Sequence, residues 1–119
     1  MLMLESLENL KLFQKSYDFY KWIYPILKDF PKSERYTLVK KIHDTLLSFI
    51  SKVVEARKVE DEDRVLREAD AELEKLKVLM RLSKDQEFIS MGQYREASEK
   101  LDELGKMLGG WLNSKGESL

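Results

Sequence analysis

Apolar residues recur at alternating spacings of three and four along nearly the whole chain, the pattern of amphipathic helices. From about Ser6 to Asp29, the residues Leu10, Phe13, Tyr17, Tyr20, Tyr24 and Leu27 are spaced 3, 4, 3, 4, 3. This predicts a first helix whose core face is that aromatic seam, packed inside the fold and not offered as a base-stacking platform. Trp22 lies off the seam, at an interface or a bundle edge. Pro25 lacks the N–H that would bond to the Lys21 carbonyl, which predicts a kink. Pro31 biases Phe30 away from helical angles and ends the segment. A second helix follows, with Ser33 as N-cap and Glu34 at its positive end. Val39, Ile42, Leu46, Phe49, Val53 and Ala56 give its seam. Leu47, Ile50 and Val54 form a second, flanking stripe that one bundle face cannot absorb, so part of it is expected against another subunit.

The third and fourth segments are punctuated just as clearly. "VEDEDR" places four acids at a helix N-terminus, where unpaired N–H groups favour negative charge. Leu66, Ala69, Leu73, Leu76 and Met80 continue that helix. "ISMGQY" carries a capping box at Ser90 and Gln93, with Ile89 and Tyr94 at the staple positions. Tyr94, Ala97, Leu101, Leu104, Leu108 and Trp111 follow at 3, 4, 3, 4, 3, before "NSKGESL" reads as a frayed tail. Gly105, Gly109 and Gly110 each cost about 1 kcal/mol in a helix interior, and the continued seam at Trp111 predicts a close helix–helix contact that repays them. The short connections predict antiparallel neighbours. The expected architecture is all-α, a single domain over residues 1–119. It is an antiparallel up-down-up-down four-helix bundle with helices at about 6–29, 33–58, 62–88 and 91–112, assembling into a homo-oligomeric ring.

Composition narrows the chemistry. The 119 residues suit one domain. Hydrophobic residues at 43% argue against disorder, and charged residues at 36% fit solvated outer faces. The absence of cysteine removes disulfides, thiolate metal sites and a thiol nucleophile. No stretch is apolar enough for a membrane span, and "MLMLESLENL" lacks a secretory n-region, so a cytoplasmic protein is the expectation. The net charge of −1 hides a polarity: Lys11 to Lys58 carries +6, residues 1–10 carry −2 and the remainder −5. Such asymmetry can steer contacts with a partner.

Catalytic constellations are missing. His43 is the single histidine, and Lys40 occupies the place where a di-metal Glu-x-x-His motif needs its glutamate. No G-x-S-x-G or phosphate-cradling glycine loop occurs. Neighbouring acids such as Asp102 and Glu103 read as a solvated face. His43 is therefore expected to be structural or exposed, and no enzyme activity, metal or cofactor is predicted.

"FPKSERYTLVKKI" after a Pro-containing helix, "LKVLMRLSKD" late in the third and "ELGKMLGGWLNS" in the fourth resemble the Avd family. These are accessory variability determinants of diversity-generating retroelements. The resemblance runs from about Leu10 to Ser114. It extends more loosely to the four-helix-bundle proteins encoded in ribosomal RNA intervening sequences, which are similar around "FPKSERY". Those proteins continue into an Ala-rich stretch ending in an Asn-Ile-Ala-Glu-Gly-like signature, whereas this chain has "SFISKVVEARKVED". The Avd resemblance implies a non-enzymatic accessory subunit in a barrel-like homopentamer. Such a subunit would bind a reverse transcriptase and its template RNA and support mutagenic cDNA synthesis. Pro31, Lys32, Glu34, Arg35 and Tyr36 match the family's turn motif, Arg81 its basic position in the third helix, and Gly109, Gly110 and Trp111 its closing motif. This chain is near neutral where familiar members are basic, so RNA affinity would depend on clustered cations. Lys32, Arg35, Lys40, Lys41, Arg57, Lys58 and Arg81 are the candidates for nucleic acid or polymerase. Leu47, Ile50, Val54, Gly105, Gly109, Gly110 and Trp111 are the candidates for oligomer or helix contacts. At the opening corner, Phe30 and Tyr36 are expected to pin the turn while Lys32 and Arg35 project charge. The alternatives are an intervening-sequence-type bundle protein or a structural oligomerisation module with a protein partner.

Overall fold

The computed structural model describes residues 2–117, and the side-chain environments of residues 10–113. Four helices account for most of it: α1 (Leu2–Lys28), α2 (Leu38–Ala56), α3 (Glu62–Asp85) and α4 (Met91–Glu117). Among the described residues there is no strand. α1 packs on α2 and α4, and α3 packs on α2 and α4, so the helices close a square with no diagonal contact. The bundle measures 48 × 24 × 19 Å. None of its helices is long and apolar enough to cross a membrane.

Three of the four seams fold as their periodicity requires. Ile42, Leu46, Phe49 and Val53 of α2 are fully buried, as are Leu66, Ala69, Leu73 and Leu76 of α3 and Ala97, Leu101, Leu104 and Leu108 of α4. Each of the four helix interfaces also carries a polar tie. Tyr20 Oη and His43 Nε2 share a 2.8 Å hydrogen bond between α1 and α2. Lys52 donates to Glu68 at 3.0 Å between α2 and α3. Lys77 meets Asp102 at 3.4 Å, and Lys15 meets Glu103 at 3.4 Å, on the two faces of α4.

α1 departs from its expected register. Between residues 10 and 28 its buried residues are Leu12, Ser16, Phe19, Ile23 and Leu27. Leu10, Tyr17 and Tyr24 are 46%, 47% and 44% exposed, Phe13 and Tyr20 are half-buried at the core's edge, and only Leu27 of the seam is buried, so the aromatic seam flanks the core and does not form the core face. The reason lies at Ser16. Its hydroxyl donates to the Leu12 carbonyl at 2.7 Å, which satisfies the oxygen within the helix and allows a polar residue to occupy a core position. α1 continues through Pro25 to Lys28. Trp22 covers the α1–α4 edge, half-buried against Phe19 and beneath the Lys100 ammonium.

The ends of the helices also differ from expectation. Ser33 is not the N-cap of α2: it lies in a 3₁₀ turn, Lys32–Glu34, and α2 starts after Thr37. The capping box of α4 does form, with Gln93 N–H donating to Ser90 Oγ at 3.0 Å and Ser90 N–H donating to Gln93 Oε1 at 2.8 Å. α4 runs on through Asn113 to Glu117, where a frayed tail was expected; Ser118 and Leu119 lie outside the described residues. Gly109 and Gly110 therefore sit in a helix interior. A Cβ at either would meet nothing within 4 Å, and one at Gly105 would make an ordinary 3.5 Å contact with Leu73. The close helix approach expected at these glycines is absent within the chain.

Candidate nucleic-acid interface

The α1–α2 corner is built by Pro31. With φ −54° and ψ 143° it breaks the helical path, and Glu34 N–H then donates to the Pro31 carbonyl at 2.9 Å to close the 3₁₀ turn. Phe30 anchors this corner. It is buried and sits 5.6 Å from Phe88, a residue of the α3–α4 connection at the same end of the bundle. Tyr36 does not share that role, since it is 78% exposed.

Beside the corner lies a cleft of about 460 Å³. Lys28, Lys32 and Arg35 line it, together with Tyr24, Phe30 and His43. Leu27, Pro31 and Val39 complete the walls, and no carboxylate is among the lining residues. Lys28, Lys32 and Arg35 form no ion pair among the described residues. Lys28 rests its ammonium 4.8 Å above the Tyr24 ring, and Tyr24 stacks on Tyr20 with centroids 5.8 Å apart. The cleft is thus cationic, partly apolar and uncompensated.

The other candidate cations are dispersed. Lys40 is hydrogen-bonded to Asp44 and holds that carboxyl below its usual value, so its charge is already engaged. Lys41 lines a separate groove with Glu34, Leu79 and Leu82. Arg57 and Lys58 follow the far end of α2, roughly 28 Å of helix away from the corner. Arg81 is exposed on α3, without an ion pair among the described residues. Of the sequence candidates, only Lys32 and Arg35 are brought together in the cleft. Sequence reasoning missed Lys28, Tyr24 and His43 as their neighbours. The signal that could have found Lys28 and Tyr24 is their i, i+4 spacing immediately before "FPKSER", once the register through Ser16 is adopted.

The remaining candidates fall on two surfaces. Leu47 and Val54 are 43% and 44% exposed, with Ile50 half-buried between them. The Tyr20–His43 contact and the antiparallel path set this stripe alongside Tyr17, Phe13 and Leu10 of α1. Phe13 and Tyr17 stack at 6.0 Å, so aromatic residues of α1 and aliphatic residues of α2 share this flank. Trp111, by contrast, is buried, and its indole N–H donates to Glu62 at the start of α3, which makes it a contact within the chain. Among the described residues no cluster of acids and histidines is arranged to hold a metal ion.

Comparisons with known proteins place this geometry. A sequence profile described as bAvd-like matches residues 10–115. No curated protein matches the chain. Among solved structures, a protein of unknown function from the S23 ribosomal protein family of Bacteroides thetaiotaomicron superposes with a TM-score of 0.81. It is 20% identical, and the match covers 89% of this chain and 98% of that one. At that identity the likeness establishes the four-helix fold.

Proposed function

The chain belongs to the bAvd-like family, a non-catalytic accessory family, and on that premise we infer that it serves a diversity-generating retroelement by binding the reverse transcriptase and template RNA. The family match over residues 10–115 carries this reading. The chain offers two surfaces suited to it. The cations without carboxylate partners among the described residues, Lys32, Arg35, Arg57, Lys58 and Arg81 among them, can meet RNA phosphates or acidic polymerase surface, with Lys40 and Lys41 as weaker contributors. The exposed band containing Leu47, Ile50 and Val54 suits contact between copies, and a homopentamer follows from the resemblance. The face of Gly105, Gly109 and Gly110 is a second contact candidate. A ring would multiply weak RNA contacts, since each added subunit binds at high effective concentration.

The test is co-purification of the full chain with the reverse transcriptase encoded beside it. Association at low salt that weakens as salt rises is the expected result. Failure to associate at low salt, with and without template RNA, would remove the accessory reading.

A further inference from the structure

We propose that the α1–α2 corner cleft seats one unpaired nucleotide, its phosphate among Lys28, Lys32 and Arg35 and its base against Tyr24. This rests on the accessory reading only for the origin of the RNA; the binding chemistry follows from the cleft. Three cations line one cavity, no acid lines it with them, and none of the three has an ion-pair partner among the described residues. Other cations are either paired, as at Lys52–Glu68, Arg67–Asp63 and Lys77–Asp102, or unpaired but scattered, as at Arg57 and Arg81, whereas these three share one cavity. An uncompensated cluster of this kind attracts an anion, and Arg35 adds a planar fork that suits phosphate oxygens.

The walls select what the anion is attached to. Tyr24 presents an exposed ring, and Pro31 and Val39 add apolar surface. Single-stranded nucleic acid is held by this combination, a cationic track for the backbone and an aromatic face for the base. Duplex RNA does not fit, because its bases are stacked within the helix. The volume of about 460 Å³ falls in the range of sites for small ligands. Lys28 now lies over the Tyr24 ring. On binding, the base takes that face and the flexible lysine turns to the phosphate. His43 is held by Tyr20 through Nε2 and forms a fixed wall of the cleft.

A nucleotide unit can come from an RNA strand or from a free nucleotide, and the experiment separates them. Fluorescence anisotropy of the full chain is measured with labelled oligo(U) and oligo(A), with the matching duplex, and with AMP as competitor. Single strands are expected to bind, the duplex to bind more weakly, and AMP to compete only at high concentration. Tyr24→Leu should weaken single-strand binding by roughly fivefold or more, with Tyr24→Phe restoring it. The salt slope should stay unchanged in both. Arg35→Ala should lower the slope by about 0.7, one phosphate contact on a single strand. Lys106→Ala, on exposed α4 surface, supplies the distant charge control. Circular dichroism verifies that each variant is folded. Strands carrying 4-thiouridine should cross-link to the segment from Tyr24 to Arg35. Three results would each overturn the proposal: no single-strand binding at low salt, an unaltered affinity in Tyr24→Leu, or cross-links that avoid this segment. AMP competing as well as the strand would make the seat one for free nucleotides and overturn its use on RNA. If polymerase association persists while these assays fail, the cleft proposal falls alone. If the assays succeed without polymerase association, the accessory reading falls and the seat stands.

Discussion

Glu87 is the one described non-glycine residue with a positive φ, at 63°. It closes α3 as the left-handed residue of a Schellman motif. Phe88 N–H donates to the Ser83 carbonyl and Glu87 N–H to the Lys84 carbonyl, both at 2.9 Å. The motif also delivers Phe88 onto Phe30, linking two connections at one end of the bundle. A left-handed L-residue costs about 1–2 kcal/mol, partly offset in a glycine variant by the greater freedom of its unfolded chain. Glu87→Gly is therefore expected to stabilise the fold by about 0.5–1 kcal/mol, read as a higher denaturant midpoint with an unchanged m-value. Glu68 gives a pH-dependent counterpart. Hydrogen bonds from Lys52 first, and then Arg64, hold its carboxyl below the ordinary value of 4.5. The folded state thus binds its proton less readily than the unfolded chain does. The stabilisation is complete above about pH 4.5 and is lost as pH falls through the lower folded value. Thermal melts of the parent and Glu68→Gln should differ near neutrality and converge in acid.

At the level of helices, α4 is longer than the solvent-facing glycines favour. It passes through Gly109 and Gly110 without a neighbour near either Cβ position. Within a single subunit nothing offsets their cost of about 1 kcal/mol each relative to alanine. Gly110→Ala should raise subunit stability by that order in denaturant titrations at low protein concentration. Lower stability, or loss of assembly, would locate a neighbouring copy on this face. The same elements show what a sequence reveals. α3 and α4 were legible because their seams contain only apolar residues and their starts carry acids or a capping box. α1 was not, because two registers both fit the three-four spacing. The aromatic one looked more like a core, while the true one contained a serine whose hydroxyl is satisfied only by the helix it helps form. The start of α2 lies beyond Ser33, after Thr37, because that serine, a favoured cap by residue type, is taken into a 3₁₀ turn that has no side-chain cap and that the helix does not join. At the corner, Lys32 and Arg35 were visible as motif residues. Their grouping with Lys28 and Tyr24 depends on that hidden register.

On the scale of the whole molecule, the outward turn of the aromatic seam changes what the bundle can do. Leu10, Phe13 and Tyr17 fall on the same α1–α2 flank as Leu47, Ile50 and Val54, as the Tyr20–His43 pair and the antiparallel path require, and Tyr24 belongs to the wall of the corner cleft. An apolar band on one flank would be poorly tolerated in water by a lone subunit and is a ready surface for a second copy. Tyr24 stands where the band meets the cleft, so copies that met through Leu47 and Val54 would repeat the cleft once per subunit and leave the Tyr24 ring open. The seven candidate cations do not gather into one patch on a subunit 48 Å long, but repeated clefts of three can act together on one strand. The double variant Leu47→Lys with Val54→Lys places like charges along the band without touching the core seam of α2. It should leave the helical circular dichroism intact, reduce the mass measured by light scattering to that of a 14.1 kDa subunit, and weaken single-strand binding through lost multivalency. An unchanged oligomer mass would show that the copies meet elsewhere, and a parent protein that is monomeric at micromolar concentration would remove the band's role in assembly altogether.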